Sequence, residues 1–477
     1  MAQMTVEQAM QIAFQHHQAG RLAEAENVYR QVLSADPNHA DALHLLGVIA
    51  QQSSRFDQSA ELIRRAIALR PTFADAHANL GNALTHQGKL QEAIRAYRRA
   101  IEVNPNLSEA HGNLGNALRA QGKLDESLTA FRQAIRINPA NASAYCNIGI
   151  ILRQQGNLPQ AVQAYQKSIE LRPQAPETHS NLANAFSDQK KFHVAIAEYA
   201  RAIQLKPDYA EAHSNLGNAL REVGKLQEAA AAHARAIELK PDYGEAHYNM
   251  AIVQQDLGKL DEAEASLLRA IRLAPDHAEP YNNLGSVRKD QGRIDDAMAC
   301  YKRAMKLKPG DPLLHSNLLY AMHFHPGYDR ATIYDEHRKW NQLHAQPLKK
   351  FIEPHRNLPD PDRRLKIGYV SPDFYAHPVG RFLLPLIANH NREQFEVFCY
   401  ADVRVPDSVT ARLQSHAGVW RDILGISHAE VAQRVRDDGI DILVDLTLHM
   451  SNNRLPLFAR KPAPVQVSYL AYCSTTG

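Results

Sequence analysis

The 477-residue sequence predicts two kinds of structure in one chain, an all-helical solenoid followed by an α/β lobe of Rossmann type. The first observation is a proline that recurs every 34 residues, at Pro37, Pro71, Pro105, Pro139, Pro173, Pro207, Pro241, Pro275 and Pro309. A period of 34 is typical of stacked helix-turn-helix units. The second observation is that short apolar runs alternate with helical stretches after residue 364, which indicates a parallel sheet covered by helices on both faces.

Each repeat unit is predicted to form a pair of helices. In the unit that ends at Pro241, two helical stretches flank Gly224, which permits the turn, and the proline ends the second helix because it cannot continue one. Small residues, Gly217 in the first helix and Ala229 in the second, allow the helices to approach closely. This is the tetratricopeptide pattern. It runs through nine units over residues 6–311, and a tenth first helix follows.

Asparagines form a second ladder with the same 34-residue spacing. They are Asn79, Asn113, Asn147, Asn181, Asn215, Asn249, Asn283 and Asn317. In one interpretation, each side chain bonds to a neighbouring repeat. In the other, the amides line the inner helices of a superhelix and bind an extended acceptor polypeptide, because an amide offers both a donor and an acceptor to a peptide backbone. The sequence leaves both interpretations open.

One repeat position carries histidine in most units and tyrosine in two. This exchange favours a ring packed between helices over a metal ligand or a catalytic group. The residues are His77, His111, His179, His213, His247 and His315, with Tyr145 and Tyr281.

The repeat period gives way to a different organisation after residue 311. Residues 312–363 are predicted to form capping helices and a linker rich in proline and charge, and residues 364–477 an α/β lobe. The expected strands lie near 366–371, 395–400, 440–446 and 465–470, and the expected helices near 378–390, 407–417, 427–438 and 453–460.

Two loops of the predicted lobe contain a histidine at the carboxyl end of a strand, where parallel sheets bind ligands. His377 follows the first strand and His449 follows the strand near 440–446. If the two converge on one crevice, they would serve proton transfer or diphosphate binding, although composition by itself favours a structural role for each. Neither loop has the glycine pattern of a dinucleotide site. The acidic pair Asp360 and Asp362 lies in the linker, where it is interpreted as solvated charge and not as a metal site.

Composition narrows the partners and the compartment. The formal net charge is +3, and acidic and basic residues are interleaved, which leaves no basic stripe of the kind that nucleic-acid binding needs. The cysteines form no metal-binding or disulfide pattern; they are Cys146, Cys300, Cys399 and Cys473. The N-terminus has no features of a signal peptide, and no stretch of about 20 apolar residues occurs. The expectation is a cytoplasmic protein that contacts neither nucleic acid nor membrane.

Four motifs of the lobe point to a known family. They are Ile367-Gly-Tyr-Val-Ser-Pro-Asp-Phe374 with His377, Phe395-Glu-Val-Phe-Cys-Tyr400, Asp438-Gly-Ile-Asp-Ile-Leu-Val-Asp445 and Arg460-Lys-Pro-Ala-Pro-Val-Gln466. Together with the repeats, they resemble the O-linked N-acetylglucosamine transferase and SPINDLY-like family. The resemblance implies a two-lobed GT-B glycosyltransferase behind a superhelix that guides polypeptide substrates. It further implies inverting transfer of a sugar to serine or threonine without a metal or other cofactor. UDP-N-acetylglucosamine is the expected donor, although relatives use N-acetylglucosamine or fucose.

The resemblance also carries over to single residues. His377 matches the active-site histidine of the family's Asp-Phe-x-x-His element. His449 stands where relatives have Gly-His-Thr, but here Leu448 replaces the glycine and Met450 the threonine. The segment 469–477 resembles a family segment that usually contains Gly-Tyr-Pro, after which relatives have a second lobe that supplies most nucleotide contacts. The polypeptide as printed is therefore expected to give no transfer by itself. The alternative function is a tetratricopeptide adaptor that binds proteins without chemistry.

Overall fold

The computed structural model describes residues 5–360 and 362–470, in two compact units that are treated separately. The first unit extends to Pro207, and its described part consists of twelve helices in six consecutive pairs. Their bounds are α1 Val6–Gln18, α2 Leu22–Ala35, α3 Ala40–Gln52, α4 Phe56–Leu69, α5 Ala74–His86, α6 Leu90–Val103, α7 Ser108–Ala120, α8 Leu124–Ile137, α9 Ala142–Gln154, α10 Leu158–Leu171, α11 Pro176–Asp188 and α12 Phe192–Leu205. Each pair coincides with one predicted repeat, which confirms the predicted solenoid.

The two helices of a pair close on a small residue of the first helix. A Cβ atom at Gly149 would lie 2.6 Å from the ring of Tyr165, and one at Gly81 would lie 2.5 Å from the ring of Tyr97. No real side chain tolerates such distances, so the repeated glycine allows an aromatic ring of the second helix to pack on the backbone of the first.

The turn inside a pair requires left-handed backbone. Gly88 and Gly122 have φ angles of 73° and 77°. Ser54 and Lys190 occupy the same turn position with φ angles of 57° and 59°, although a side chain in this conformation costs about 1 kcal/mol.

The second unit continues with three more helix pairs and a capping region. The paired helices are α13 Ala210–Glu222, α14 Leu226–Leu239, α15 Gly244–Asp256, α16 Leu260–Leu273, α17 Ala278–Asp290 and α18 Ile294–Leu307. The unpaired tenth first helix is α19 Pro312–Met322, and α20 Arg330–Trp340 follows it, continued by a π-helical turn over Asn341–Ala345 and a 3-10 turn over Gln346–Phe351.

A five-stranded parallel sheet with four helices forms the rest of the second unit, within the residues that the structure describes. The elements are β1 Leu365–Ser371, α21 Pro378–Ala388, β2 Phe395–Ala401, α22 Ser408–His416, β3 Val419–Asp422, α23 His428–Asp437, β4 Ile442–Asp445, α24 Leu455–Phe458 and β5 Val465–Ser468. The strand order is β3-β2-β1-β4-β5, and all four neighbouring pairs are parallel. The carboxyl ends of all strands therefore meet at one edge of the sheet.

Helices cover both faces of the sheet, as predicted. Tyr369 on β1 contributes to a core with Leu383 of α21 and Leu413 of α22. The next residue, Val370, points to the opposite face and contributes to a core with Val435 of α23 and Leu457 of α24. Alternate residues of a buried strand thus serve two cores.

The sequence prediction missed the edge strand β3. It pairs Val419 with Phe398 of β2, but it has only four residues, and Arg421 and Asp422 are exposed. A short edge strand with two charged residues has no apolar run by which it could be recognised. Within the described residues, no helix combines the length and the apolar character needed to cross a bilayer.

Candidate active site

The first candidate loop connects β1 to α21 and lies at the carboxyl edge of the sheet. The hydroxyl of Ser371 accepts the N–H of Asp373 at 3.0 Å. Gly380, in the first turn of α21, lies so close to the loop that a Cβ atom there would collide with the carbonyl oxygen of Tyr375. The absence of a side chain at Gly380 therefore allows the loop to fold back onto the helix N-terminus.

His377 is the N-cap residue of α21, and it remains partly accessible. Its Nδ1 accepts the N–H of Val379 at 3.3 Å, and its side chain is 32% exposed. Asp373 Oδ2 lies 3.9 Å from the same nitrogen. The first turn of the helix thus holds the imidazole at the sheet edge, with Nε2 left for an external group.

Two carboxylates shape the electrostatics around His377. Burial raises the pKa of Asp373 above its ordinary value, and the nearby His377 partly opposes this shift. Asp407, the N-cap of α22, accepts the N–H of Ala376 at 2.7 Å. Hydrogen bonds from backbone N–H groups, that of Thr410 first, lower the pKa of Asp407. Asp407 therefore carries a charge that ties the His377 loop to the neighbouring helix.

The second candidate loop follows β4 and is anchored at both ends. The carboxylate of Asp445 accepts the N–H groups of Thr447 at 3.0 Å and Leu448 at 3.1 Å. Burial nevertheless raises the pKa of Asp445 to about 6. At the other end, the buried Arg454 donates to Asp402 Oδ2 at 2.8 Å. Leu448 has a φ of 49°, so the residue that replaces the family's glycine adopts a conformation that favours glycine.

His449 lies in the middle of this loop and is completely buried. Its Nδ1 is 3.0 Å from the hydroxyl of Ser316 on α19, and its Nε2 has no partner among the described residues. Its ring centroid lies 4.7 Å from that of His337 and 4.9 Å from that of Trp340. His449 does not reach solvent, so the structure does not bring it into an open crevice with His377.

Burial keeps this group of histidines neutral at physiological pH. Burial, with a smaller effect of neighbouring histidines, lowers the pKa of His449 to about 2. The same causes lower the pKa values of His337 and His344 to about 4. A neutral imidazole packs between rings as an apolar group, so the cluster joins the capping helices to the second loop.

Half of the ladder asparagines bond to the preceding repeat in the structure. The side chains of all eight residues are half-buried. Four of the asparagines donate through Nδ2 to the side chain 35 positions earlier. These bonds join Asn79 to His44 at 2.9 Å, Asn181 to Cys146 at 3.8 Å, Asn283 to Tyr248 at 3.2 Å and Asn317 to Asn282 at 2.7 Å. These four asparagines use their donors to connect consecutive first helices, which is the structural interpretation left open by the sequence.

Two other ladder asparagines have different partners for a local reason. The residues 35 positions before Asn113 and Asn147 are Ala78 and Gly112, which have no side-chain acceptor. Asn113 instead donates to Asn82 at 2.9 Å, and Asn147 to the carbonyl of Ser143 in its own helix at 3.0 Å.

Two further ladder residues lie in the second unit. Asn215 lies on α13. Asn249 has a buried Nδ2 without a partner in the described part of the chain.

His449 takes the place of the next ladder asparagine. Ser316 stands one residue before Asn317. The same repeat position is occupied by the side chains that accept a hydrogen bond from a ladder asparagine, namely His44, Cys146, Tyr248 and Asn282. No further repeat follows α19, and His449 contacts Ser316 instead. The ladder therefore ends on a loop of the α/β lobe.

The repeat histidines also make structural bonds. Nε2 of His77, His111, His179 and His247 lies 3.0–3.1 Å from the carbonyl oxygen of the proline six residues earlier. The bond fastens the start of a first helix to the end of the preceding helix. Among the described residues, no group of three or more histidine, cysteine or acidic side chains is placed to hold a metal ion.

Three residues that position the loops were missed by the sequence interpretation. They are Asp407, Arg454 and Ser316. The capping pattern of Asp407 before a helical stretch offered a signal. The partners of Arg454 and Ser316 lie 52 and 133 residues away, and no local pattern predicts such pairs.

Comparison with family models separates the chain into the same two parts. Tetratricopeptide models match segments between residues 16 and 309, and the model of glycosyl transferase family 41 matches residues 314–477. The last seven of these residues, like most of the predicted segment 469–477, lie outside the described residues.

Two curated relatives come from Arabidopsis thaliana. Over 170 residues the chain is 39% identical to the probable UDP-N-acetylglucosamine–peptide N-acetylglucosaminyltransferase SPINDLY, a match that covers 34% of this chain and 18% of SPINDLY. Over 117 residues it is 40% identical to the similarly described SEC protein, which covers 24% of this chain and 12% of SEC. The chain thus spans less than a fifth of the length of these relatives.

A solved structure supports the same relationship. A mutant of the Thermobaculum terrenum O-GlcNAc transferase matches with a TM-score of 0.53 and 36% identity, over 56% of this chain and 51% of that chain. The chain is therefore a row of tetratricopeptide repeats followed by a region of the glycosyl transferase family 41 type, similar to SPINDLY and to O-GlcNAc transferase.

Proposed function

We propose that the chain serves a protein O-glycosyltransferase that moves N-acetylglucosamine from UDP-N-acetylglucosamine to serine or threonine hydroxyls of polypeptides, with inversion at the sugar. The names of the relatives support the reaction class. The single structural observation that carries the proposal is His377, held at the carboxyl edge of a parallel sheet with Nε2 available. This edge is where ligands bind in such sheets.

In the proposed reaction, the acceptor hydroxyl attacks the anomeric carbon, the bond to the nucleotide diphosphate breaks, and the hydroxyl proton goes to a base. In the arrangement observed, Nδ1 of His377 accepts the Val379 N–H, so the neutral ring carries its proton on Nε2 and donates a hydrogen bond outward. If the proton moves to Nδ1 and faces Asp373, 3.9 Å away, Nε2 becomes an acceptor. The second tautomer is the one that takes up the hydroxyl proton.

The asparagine ladder would supply acceptor binding. Four of the ladder asparagines use one Nδ2 donor each on the preceding repeat, and their Oδ1 atoms would accept N–H groups of an extended polypeptide backbone. The Oδ1 atoms of Asn79 and Asn283 each accept one bond at 3.4 Å already, which leaves each a second lone pair. Acceptance of backbone N–H groups is independent of the side chains of the ligand. The proposal therefore expects broad acceptor specificity.

The remaining expectations about the complete enzyme belong to the same proposal. A second sheet lobe would complete a GT-B cleft and hold the nucleotide, no metal or other cofactor would be needed, and the protein would act in the cytoplasm. Three described cysteines are free thiols, Cys146, Cys300 and Cys399, which is compatible with a reducing compartment.

The test is transfer by the full-length gene product, assayed by mass spectrometry of a serine- and threonine-containing protein mixture. UDP-N-acetylglucosamine and GDP-fucose are supplied in separate reactions, and the first is expected to add one sugar mass. His377→Asn keeps a side-chain oxygen to cap α21 but removes the imidazole, so transfer should fall at least about 100-fold. His416→Asn, at the exposed end of α22, is the matched control.

Two outcomes would count against the proposal. Equal transfer by the wild-type protein and the His377→Asn variant would remove the role of His377. Absence of transfer from both donors, with retained binding of unfolded polypeptide to the repeats, would favour the adaptor function.

A further inference from the structure

A cavity of about 260 Å³ lies at the edge of the sheet opposite to His377. Arg363 and Ile440, which line it, come just before the first residues of β1 and β4. His377 follows the other end of β1. Seven residues of extended strand separate the two edges by roughly 20 Å, so this cavity is distinct from the candidate active site.

One wall of the cavity is built by a saturated ion pair. The buried Asp441 accepts from Arg363 Nη1 at 2.8 Å, from the N–H of Lys366 at 2.8 Å and from Asn357 Nδ2 at 2.6 Å. Burial opposes the charged form, but these donors hold the pKa of Asp441 below its ordinary value. Asn357 also donates to the carbonyl of Gly439 at 3.1 Å. The wall is fixed, and its carboxylate has no capacity left for further cations.

Another part of the lining presents a guanidinium with one unpaired nitrogen. Arg436 Nη1 is buried and has no hydrogen-bond partner in the described part of the chain. Its Nη2 donates to Gln433 at 3.0 Å, and Glu353, a side chain that is 58% exposed, lies 3.6 Å from it. Buried guanidinium nitrogens are rarely left without an acceptor. The residue itself lines the cavity, and a rotation of the guanidinium that exposes Nη1 would let it pair with an acceptor from outside the protein.

Further positive groups surround the same space. Arg356 lines the cavity, is exposed and makes no ion pair with the described residues. Burial, together with the positive charges of Lys461 and Arg436, lowers the pKa of His355, so the neutral ring can donate one hydrogen bond. Two carboxylates on the lining, Glu353 and Asp437, oppose an anion; Asp437 accepts from Gln433 at 2.7 Å.

We propose that this cavity binds a small tetrahedral oxyanion of the phosphate class, held by Arg436 and Arg356. The planar donors of two arginines match such an anion, and His355 adds a neutral donor. The volume lies below that of pockets for drug-sized ligands, so the ligand is the free anion and not a nucleotide.

Inorganic phosphate is the probe, and its 31P line width is followed while the complete 477-residue chain is titrated at low ionic strength. The wild-type chain should broaden the line saturably, with a dissociation constant on the order of 1 mM. Arg436→Gln should weaken binding at least about tenfold, and Arg356→Gln, on the exposed linker, should also weaken it. Arg434→Gln removes the same charge from α23 outside the cavity and should leave binding unchanged. Asp437→Asn should tighten binding, because it removes the opposing charge and keeps an oxygen for Gln433.

Circular dichroism of each variant establishes that it is folded. If Arg436→Gln does not fold, Arg356→Gln and Asp437→Asn still decide the question, because their effects have opposite signs. Absence of saturable broadening by the wild-type chain would overturn the proposal. Equal weakening by Arg434→Gln would also overturn it, because the interaction would then be diffuse attraction to a charged helix.

Discussion

Replacing His449 with phenylalanine should make the capping region less sensitive to acid. In the folded chain the pKa of His449 is lowered to about 2, whereas an unfolded histidine titrates near 6.5. Between these values the unfolded state binds more protons than the folded state, so stability is lost as pH falls through that window. From pH 7.5 to 5.5, this one side chain costs about 1.4 kcal/mol. His449→Phe removes that cost and should retain more of its stability over the same interval.

The measurement is urea unfolding at pH 7.5 and 5.5, followed by tryptophan fluorescence. The chain has two tryptophans, and the ring of Trp340 lies 4.9 Å from that of His449. A Trp420→Phe background therefore restricts the signal to the capping region. The quantity of interest is the difference in unfolding free energy between the two pH values. The unfolding free energy itself also changes in the His449→Phe variant, because Ser316 loses its partner there.

Ser316→Ala is the matched control. It removes the 3.0 Å contact to Nδ1 but keeps the buried imidazole. It should lower the unfolding free energy by about 1–3 kcal/mol at both pH values, because a buried nitrogen is left unpaired. If the His449→Phe and wild-type chains lose equal stability between pH 7.5 and 5.5, His449 is not a neutral buried group and the reasoning is refuted.

Three further predictions concern the repeats. Ser54→Gly should raise the stability of its repeat by about 0.5–1 kcal/mol, and Gly88→Ser should lower it by a similar amount, because both positions have positive φ; thermal shifts of the same sign would contradict this. Asn317→Ala should cost about 1 kcal/mol through loss of the bond to the preceding repeat, while Asn147→Ala should be neutral or slightly stabilising since its bond stays within one helix. Hydrogen exchange of the two helices measures the difference, and equal effects would disprove the distinction. Gly149→Ala should destabilise by about 1–3 kcal/mol, because the new methyl meets the facing aromatic ring at 2.6 Å; an unchanged unfolding midpoint would show that the ring can move.

The repeats could be predicted almost completely from the sequence, because each turn, small residue and proline acts within its own 34-residue unit. Gly149 and Gly88 illustrate this, since their roles depend on neighbours in the same helix pair. The sheet could be predicted in outline from its apolar runs. Strand β3 could not, because its residues are held by β2 and carry no pattern of their own.

In the candidate site, only residues whose contacts lie close in sequence could be predicted. His377 was found because its loop follows a buried strand, at the edge where parallel sheets bind ligands. The burial of His449 was not foreseen, since it depends on Ser316 and Trp340, which lie more than a hundred positions earlier in the chain. The hydrogen-bond partners of the asparagines could not be predicted either. A polar residue repeats with the same spacing whether its side chain bonds to a neighbouring repeat or to a ligand.

The 35-residue offset of the asparagine bonds makes some repeats easier to excise than others. Deleting residues 74–107 removes Ala78, which has no side-chain acceptor, and brings Asn113 to the position opposite His44. The new bond would replace the one from the deleted Asn79 to His44, and the bond from Asn113 to Asn82 would be lost. Deleting residues 108–141 instead would bring Asn147 to the place of Asn113, opposite Ala78 and within reach of Asn82, so the number of these bonds between repeats would not fall. The number of bonds between repeats that survives an excision thus depends on which unit is removed, even though every unit has the same length.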